Sequence, residues 1–273
     1  MSSSFSPADA VALRAVAHRL ADSAAAITLA AFRRPGLRAD NKARTGFDPV
    51  TEADRAAEAA MRAILDAERP LDAILGEEYG PKPGSSGLTW VLDPIDGTRG
   101  FIAGTPTWGT LIGVSDASGP RAGLIDQPYT GERFEGGFDG ASLSRGGLRT
   151  PLAASTTAAL SEAILFTTFP EIGTEAERLA FRRVAEAVRL TRYGMDCYAY
   201  ALLAQGQIDL VIEAGLHPYD VAAPIAVIAA AGGIVTGWDG GPAGQGGRVL
   251  AAANPVLHAA AMRLLQDVPA QAG

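Results

Sequence analysis

One cysteine, Cys197, is all that the 273 residues contain. A single thiol excludes an intramolecular disulfide and points to a reducing compartment. Charge is sparse as well, at 19% of residues, with a net charge of -7. The basic residues form no stripe, which argues against nucleic acid as the main partner, because tracking a phosphate backbone requires one. A small phosphate ester held through a metal stays compatible with this balance. Long apolar runs are also missing: the most apolar stretch, residues 221–235, is interrupted by Pro224, Gly232 and Gly233 and is too short to span a bilayer. Residues 1–6 are polar, with no basic segment followed by an apolar core, so no secretory signal is read. No internal repeat is visible. The expectation is a soluble, cytoplasmic protein without a membrane partner.

What the chain does have is apolar residues, at 48%, over a length that supports one large or two moderate domains. Ser6-Pro7-Ala8-Asp9 is a helix start, and Leu13, Val16, Leu20 and Ile27 continue it at helical spacing to about Arg33. A polar connection containing Lys42 and Arg44 follows. Thr51-Glu52-Ala53-Asp54 then repeats the capping pattern before an Ala-rich helix to about Glu68. Short apolar runs at 73–75 and 88–92 read as strands separated by an exposed Pro/Gly/Ser loop. Runs at 110–114, 122–125 and 133–136, broken by Gly, Pro and Asp, predict an antiparallel meander. These elements make residues 1–150 an α+β domain. Strands at 163–167, 189–193, 208–212, 234–236 and 250–252 alternate with helices at 174–188, 197–204, 218–231 and 255–266, which makes 151–273 a second, α/β layered domain.

One stretch stands apart: Trp90-Val91-Leu92-Asp93-Pro94-Ile95-Asp96-Gly97-Thr98. It is an apolar strand that ends in two acids, a glycine and a hydroxyl. Two carboxylates about 4 Å apart repel by roughly 4 kcal/mol at an effective dielectric of about 20, so the pair calls for a cation or a shared proton. Carboxylates, a backbone carbonyl and water are hard oxygen ligands that suit magnesium. Gly97 and Thr98 offer backbone N–H groups that point at an anion if a helical turn begins there. Taken alone, the stretch reads at least as readily as an acidic surface turn. Asp54, likewise, is accounted for by the helix cap alone.

Gly76-Glu77-Glu78, the 90–98 stretch, and Tyr219-Asp220-Val221-Ala222-Ala223 with Gly232-Gly233 occur together and in this order. In combination they resemble the inositol monophosphatase family of magnesium-dependent phosphatases, over residues of about 10 to 265. Residues 49–55, 97–102, 104–106, 109–110 and 192–200 are most similar to the histidinol-phosphatase branch, with Met195 standing where that branch usually has a second glycine. The resemblance implies a layered αβαβα sandwich and a site built as follows. One magnesium is held by Glu77, Asp93 and the carbonyl of Ile95; a second by Asp93, Asp96 and Asp220; and a third, weaker one near Glu77 through water. Thr98 and Asp54 form the dyad that takes a proton from the attacking water, with Glu77 also counted as catalytic. Gly97 and Thr98 bind phosphate, and Asp220, Asp196 and Glu213 face the substrate, the last two matching the ammonium or imidazole of histidinol phosphate. Asp196 also reads as a helix cap, Arg192 as structural and Lys42 as a solvated side chain. His217 and Cys197 carry no chemistry in this reading, and Trp90, Trp108 and Trp238 are packing. The implied activity is hydrolysis of L-histidinol phosphate, with inositol 1-phosphate, other sugar phosphates, 3′-phosphoadenosine 5′-phosphate or a non-catalytic binding role as alternatives. A homodimer acting on a small phosphorylated metabolite is implied too.

Overall fold

The computed structural model describes residues 5–37, 39–41 and 49–266. The polar connection with Lys42 and Arg44 lies outside the described residues. Helix α1 (Pro7–Ala31) starts where Ser6 Oγ accepts the Asp9 N–H, and buries Leu13, Val16, Ala17, Leu20 and Ala24 along one face. Strands β1 (Ala39–Asn41) and β2 (Pro49–Thr51) form a small antiparallel pair. Helix α2 (Glu52–Glu68) follows, opened by the Thr51–Asp54 capping box that the sequence predicts.

A sheet of eight strands comes next: β3 (Ala73–Gly76), β4 (Gly80–Lys82), β5 (Thr89–Asp96), β6 (Gly109–Asp116), β7 (Gly119–Gln127), β8 (Glu132–Gly136), β9 (Ala141–Arg145) and β10 (Leu148–Pro151), in the order β10-β9-β8-β7-β6-β5-β3-β4. All neighbours are antiparallel except β3 and β5. The short helix α3 (Thr98–Ala103) is inserted after β5. The remaining chain supplies β11 (Ile164–Thr167), α4 (Glu175–Ala187), β12 (Leu190–Tyr193), α5 (Cys197–Ala204), β13 (Leu210–Leu216), α6 (Pro218–Ala230), β14 (Ile234–Gly237), β15 (Gly247–Ala252) and α7 (Pro255–Leu265). Its strands form a mixed sheet of five in the order β12-β11-β13-β15-β14.

Three apolar cores stack these elements into five layers. Leu13, Leu20, Met61 and Leu65 of α1 and α2 cover one face of the larger sheet at Trp90, Leu92, Ile112, Val114 and Leu124. The opposite face, with Leu111, Ile125 and Phe134, packs on Tyr200, Leu203, Val227 and Ile228 of α5 and α6, which also rest on Val211 and Ala251 of the smaller sheet. Phe181, Val184, Leu257 and Leu265 of α4 and α7 close the far side. The alternation of Leu111 with Ile112 between cores is the period of two that a doubly covered strand must show. The result is the αβαβα sandwich.

The close seating of α6 has a specific cause. Gly113, Gly123 and Gly136 are paired across the adjacent strands β6, β7 and β8. A Cβ at Gly113 would stand 2.8 Å from Ala222 Cβ, one at Gly123 2.4 Å from the Ala223 carbonyl oxygen, and one at Gly136 2.6 Å from Val227 Cα. The missing side chains leave a trough across the sheet, and the helix backbone lies in it.

Several boundaries differ from expectation. Strand β13 runs on to Leu216 rather than stopping at Ile212, because β15 pairs with it past Glu213, with an irregularity before Leu216. Residues 149–151, which close the first half, are themselves an edge strand paired with β9. The start of the exposed loop is strand β4. Trp90, Trp108 and Trp238 are all buried, as packing requires; the Trp90 and Trp238 indole N–H groups donate to Asp72 and to the Val249 carbonyl.

Candidate active site

In a regular strand residues three apart face opposite sides, so Asp93 and Asp96 would diverge. The pairing of β5 with β6 prevents this. Asp93 lies opposite Leu111 and Asp96 opposite Gly109, three steps on one strand against two on the other. This bulge returns both acids to one side. Pro94 fits there because it has no N–H to place in the ladder. Its carbonyl accepts the Thr110 hydroxyl at 2.8 Å, and Asp93 Oδ1 accepts the Ile95 N–H at 3.1 Å. Gly97 then turns the chain with φ of 82°, a left-handed conformation that suits glycine, and becomes the N-cap of α3.

Asp220 joins from the other half of the chain. It is the third residue of α6, where its carboxylate accepts the His217 N–H at 2.6 Å. Carboxylate oxygens of Asp93, Asp96 and Asp220 lie within 4.8 Å of one another. Glu77 follows β3, the parallel neighbour of β5, and its N–H donates to the Leu92 carbonyl at 3.2 Å. Its carboxylate lies near enough to Asp93 to add its negative charge to the strain on that acid.

Burial pushes the Asp93 carboxyl well above the usual range, and the charges of Glu77, Asp96 and Asp220 push it further. Asp96 is raised in the same way by burial and then by Asp196 and Asp220, against the pull of the Cys197 N–H at 2.6 Å. A donor set made only of oxygens and strained by mutual repulsion is what a small, hard divalent cation relieves. The residues therefore fit such an ion.

For Asp54 the sequence set a cap against a catalytic role, and the structure shows the cap with the other oxygen directed at Thr98. Its Oδ2 accepts the N–H of Thr51 at 2.9 Å and the Thr51 hydroxyl at 2.5 Å, while Oδ1 faces the Thr98 hydroxyl at 3.4 Å. The Thr98 hydroxyl also lies 3.1 Å from the Ile95 carbonyl. Burial raises the Asp54 pKa despite its bonds to Thr51.

These groups open onto a pocket of about 320 Å³, lined among others by Glu77, Thr98, Asp196, Tyr200, Glu213 and Asp220. Asp196 stands at the N-cap position of α5, yet its side chain makes no capping bond. Asp96 accepts the Cys197 N–H instead, and Asp196 turns toward Gly97, where a Cβ would lie 2.8 Å from its carboxyl carbon. Burial lifts Asp196 to about 6, opposed by the Thr107 hydroxyl and the Arg99 charge. Glu213 sits inside β13 rather than after it. It accepts the Thr168 N–H at 2.7 Å and the Thr168 and Thr167 hydroxyls at 2.9 and 3.2 Å, and burial still lifts it to about 7. Arg99, from α3, lies 4.9 Å over the Phe169 ring, both lining the same pocket. Arg192 is exposed on the edge strand β12 and lines no part of the pocket.

Sequence reasoning missed Thr110, Thr168 and Glu58. Thr110 acts through its hydroxyl and Thr168 through its N–H and hydroxyl, neither with a spacing signal. Glu58 had one: an acid beside Ala57 and Met61 on the buried face of α2.

Residues 9–270 match the model of the inositol monophosphatase family. A histidinol-phosphatase of Streptomyces coelicolor is 36% identical over 253 residues, 89% of this chain and 92% of that protein. The chloroplastic bifunctional phosphatase IMPL2 of Arabidopsis thaliana is 43% identical over 228 residues, and the match spans 83% of this chain but 64% of the plant protein. Among solved structures, an inositol monophosphatase from Zymomonas mobilis superposes with a TM-score of 0.80 at 42% identity, covering 92% of this chain and 96% of that one. With the fold, the acidic cluster and these matches in agreement, the chain belongs to the inositol monophosphatase family and is a phosphatase.

Proposed function

We propose that this phosphatase hydrolyses L-histidinol phosphate to L-histidinol and phosphate, with magnesium as its cofactor. The observation that carries the substrate is the pair Asp196 and Glu213: both line the pocket, and neither belongs to the Asp93, Asp96 and Asp220 cluster. An alcohol bearing an ammonium and an imidazole gives these acids partners that a polyol lacks. The likeness to the histidinol-phosphatase of Streptomyces coelicolor supports this reading.

Glu77, Asp93, Asp96, Asp220 and the Ile95 carbonyl would hold the magnesium ions. When bound, magnesium makes water more acidic and neutralises phosphate oxygens. The chain's own residues supply the rest. Thr98 takes a proton from the attacking water as its own hydroxyl proton passes to Asp54, whose second oxygen is pinned by Thr51 so that the first stays aimed at the hydroxyl. The raised pKa of Asp54 suits it to receive that proton. The N–H groups of Gly97 and Thr98, at the start of α3, bind the phosphate. In this reading residues 1–150 carry most of the metal ligands, and 151–273 bring Asp220 and the groups that select the alcohol.

The likeness to the inositol monophosphatase from Zymomonas mobilis supports a second reading, inositol 1-phosphate. Phosphate release from L-histidinol phosphate, inositol 1-phosphate and 3′-phosphoadenosine 5′-phosphate, compared as kcat/KM with magnesium, decides between them. A clear preference for the first is expected, and a preference for either of the others overturns the assignment.

A further inference from the structure

Glu58 lies fully buried on α2, and the chemistry above does not use it. Its carboxylate grips the turn that presents Glu77. Oε2 accepts the Glu78 N–H at 2.7 Å, and Oε1 accepts the Tyr79 N–H at 3.2 Å. Arg62, one turn along the helix, supplies the countercharge through its Nε at 2.7 Å and also bonds the Gly80 carbonyl. A Cβ on Gly76 would stand 2.0 Å from Glu58 Oε1, so the glycine of the Gly76-Glu77-Glu78 motif is the room that this carboxylate needs. The backbone after Glu77 is thus held by one acid against which Gly76 also packs, which leaves Glu77 little freedom to swing away from Asp93.

We propose that Glu58 is a positioning residue for the metal site: it acts through Glu77 and sets the affinity of the ion that Glu77 would hold. The inference rests on the reading of Glu77 as a ligand. Groups that hold a metal ligand in place are worth roughly 10- to 100-fold in metal affinity when removed. A Gln at position 58 keeps the volume, but its amide nitrogen cannot accept the N–H that the lost oxygen took.

The test is calorimetric titration of the full-length protein with Mn2+ as probe, in wild type, Glu58→Gln, Glu77→Gln and the double variant, with thermal melts in chelator alongside. Glu58→Gln is expected to weaken the Glu77-dependent binding event by about 10- to 100-fold. It should leave the event that depends on Asp93, Asp96 and Asp220 within about twofold, and add less than about twofold in the Glu77→Gln background. Equal losses in both backgrounds, or a lowered melting temperature with unchanged binding, would show that Glu58 serves only the fold. Should Glu58→Gln not fold, Glu58→Asp, which keeps the charge opposite Arg62 but withdraws it from the turn, carries the same comparison. Wild type that binds no divalent cation removes the metal site and this inference together, whereas normal binding in wild type with unchanged affinity in the Glu58 variants overturns the inference alone.

Discussion

Glu213 shows how far a single side chain can be argued. Burial raises its pKa to about 7, while bonds from Thr168 and Thr167 hold it down and Asp196 adds to the rise. A carboxyl whose folded pKa lies above its unfolded value of 4.5 favours the protonated fold, so its contribution to stability falls as pH rises from about 4.5 to 7. The same group binds a cation only when ionised. KM for histidinol phosphate is therefore expected to fall as pH is raised through 7, while KM for a simple aryl phosphate follows no such step. Glu213→Gln should erase the step and weaken the amine-bearing ester by at least about tenfold more than the aryl ester, since a paired buried charge is worth several kcal/mol. Equal losses on both esters would remove Glu213 from substrate selection.

Elements tell a different story, because their positions were legible and their contacts were not. The capping signals at Ser6 and Thr51 set the starts of α1 and α2, and the apolar runs located most strands, since both are local patterns. The acids of the candidate metal site were legible as a motif. The bulge between Asp93 and Asp96 was not, because it depends on which residue of β6 lies opposite. The end of β13 was misjudged for a related reason: a Glu reads as the end of an apolar strand unless Thr167 and Thr168 are known to meet it. Nor was the glycine trough visible, as Gly113, Gly123 and Gly136 are aligned only by pairing. Its role can be tested at Gly123, where a Cβ would meet the backbone of α6 at 2.4 Å rather than a yielding side chain. Gly123→Ala is expected to cost about 1–3 kcal/mol in chemical denaturation, as overpacking does, and to reduce activity by displacing Asp220. Unchanged stability and activity would show that α6 does not depend on the trough.

At the scale of the whole molecule, the acids that repel one another come from both halves. Asp93, Asp96 and Glu77 are placed by the larger sheet, and Asp220 arrives on a helix that follows the smaller sheet's β13. Without a cation this junction works against the fold, as the raised pKa values of Asp93 and Asp96 record. Magnesium that binds only the folded state must then stabilise the chain, by about 2.7 kcal/mol at a hundred times Kd. For a chain of this size that corresponds to a rise in Tm of roughly 5–10 °C. Asp220→Asn separates repulsion from binding, because Asn can still accept the His217 N–H and so keeps the helix start. In chelator its Tm should equal or exceed that of wild type, since one repelling charge is gone. With magnesium the rise should shrink or vanish, since a ligand is gone too. Melting both proteins across a magnesium series checks the two arms together: an undiminished rise in the variant would take Asp220 out of the ligand set, and a lower Tm in chelator would show that its charge supports the fold rather than opposing it.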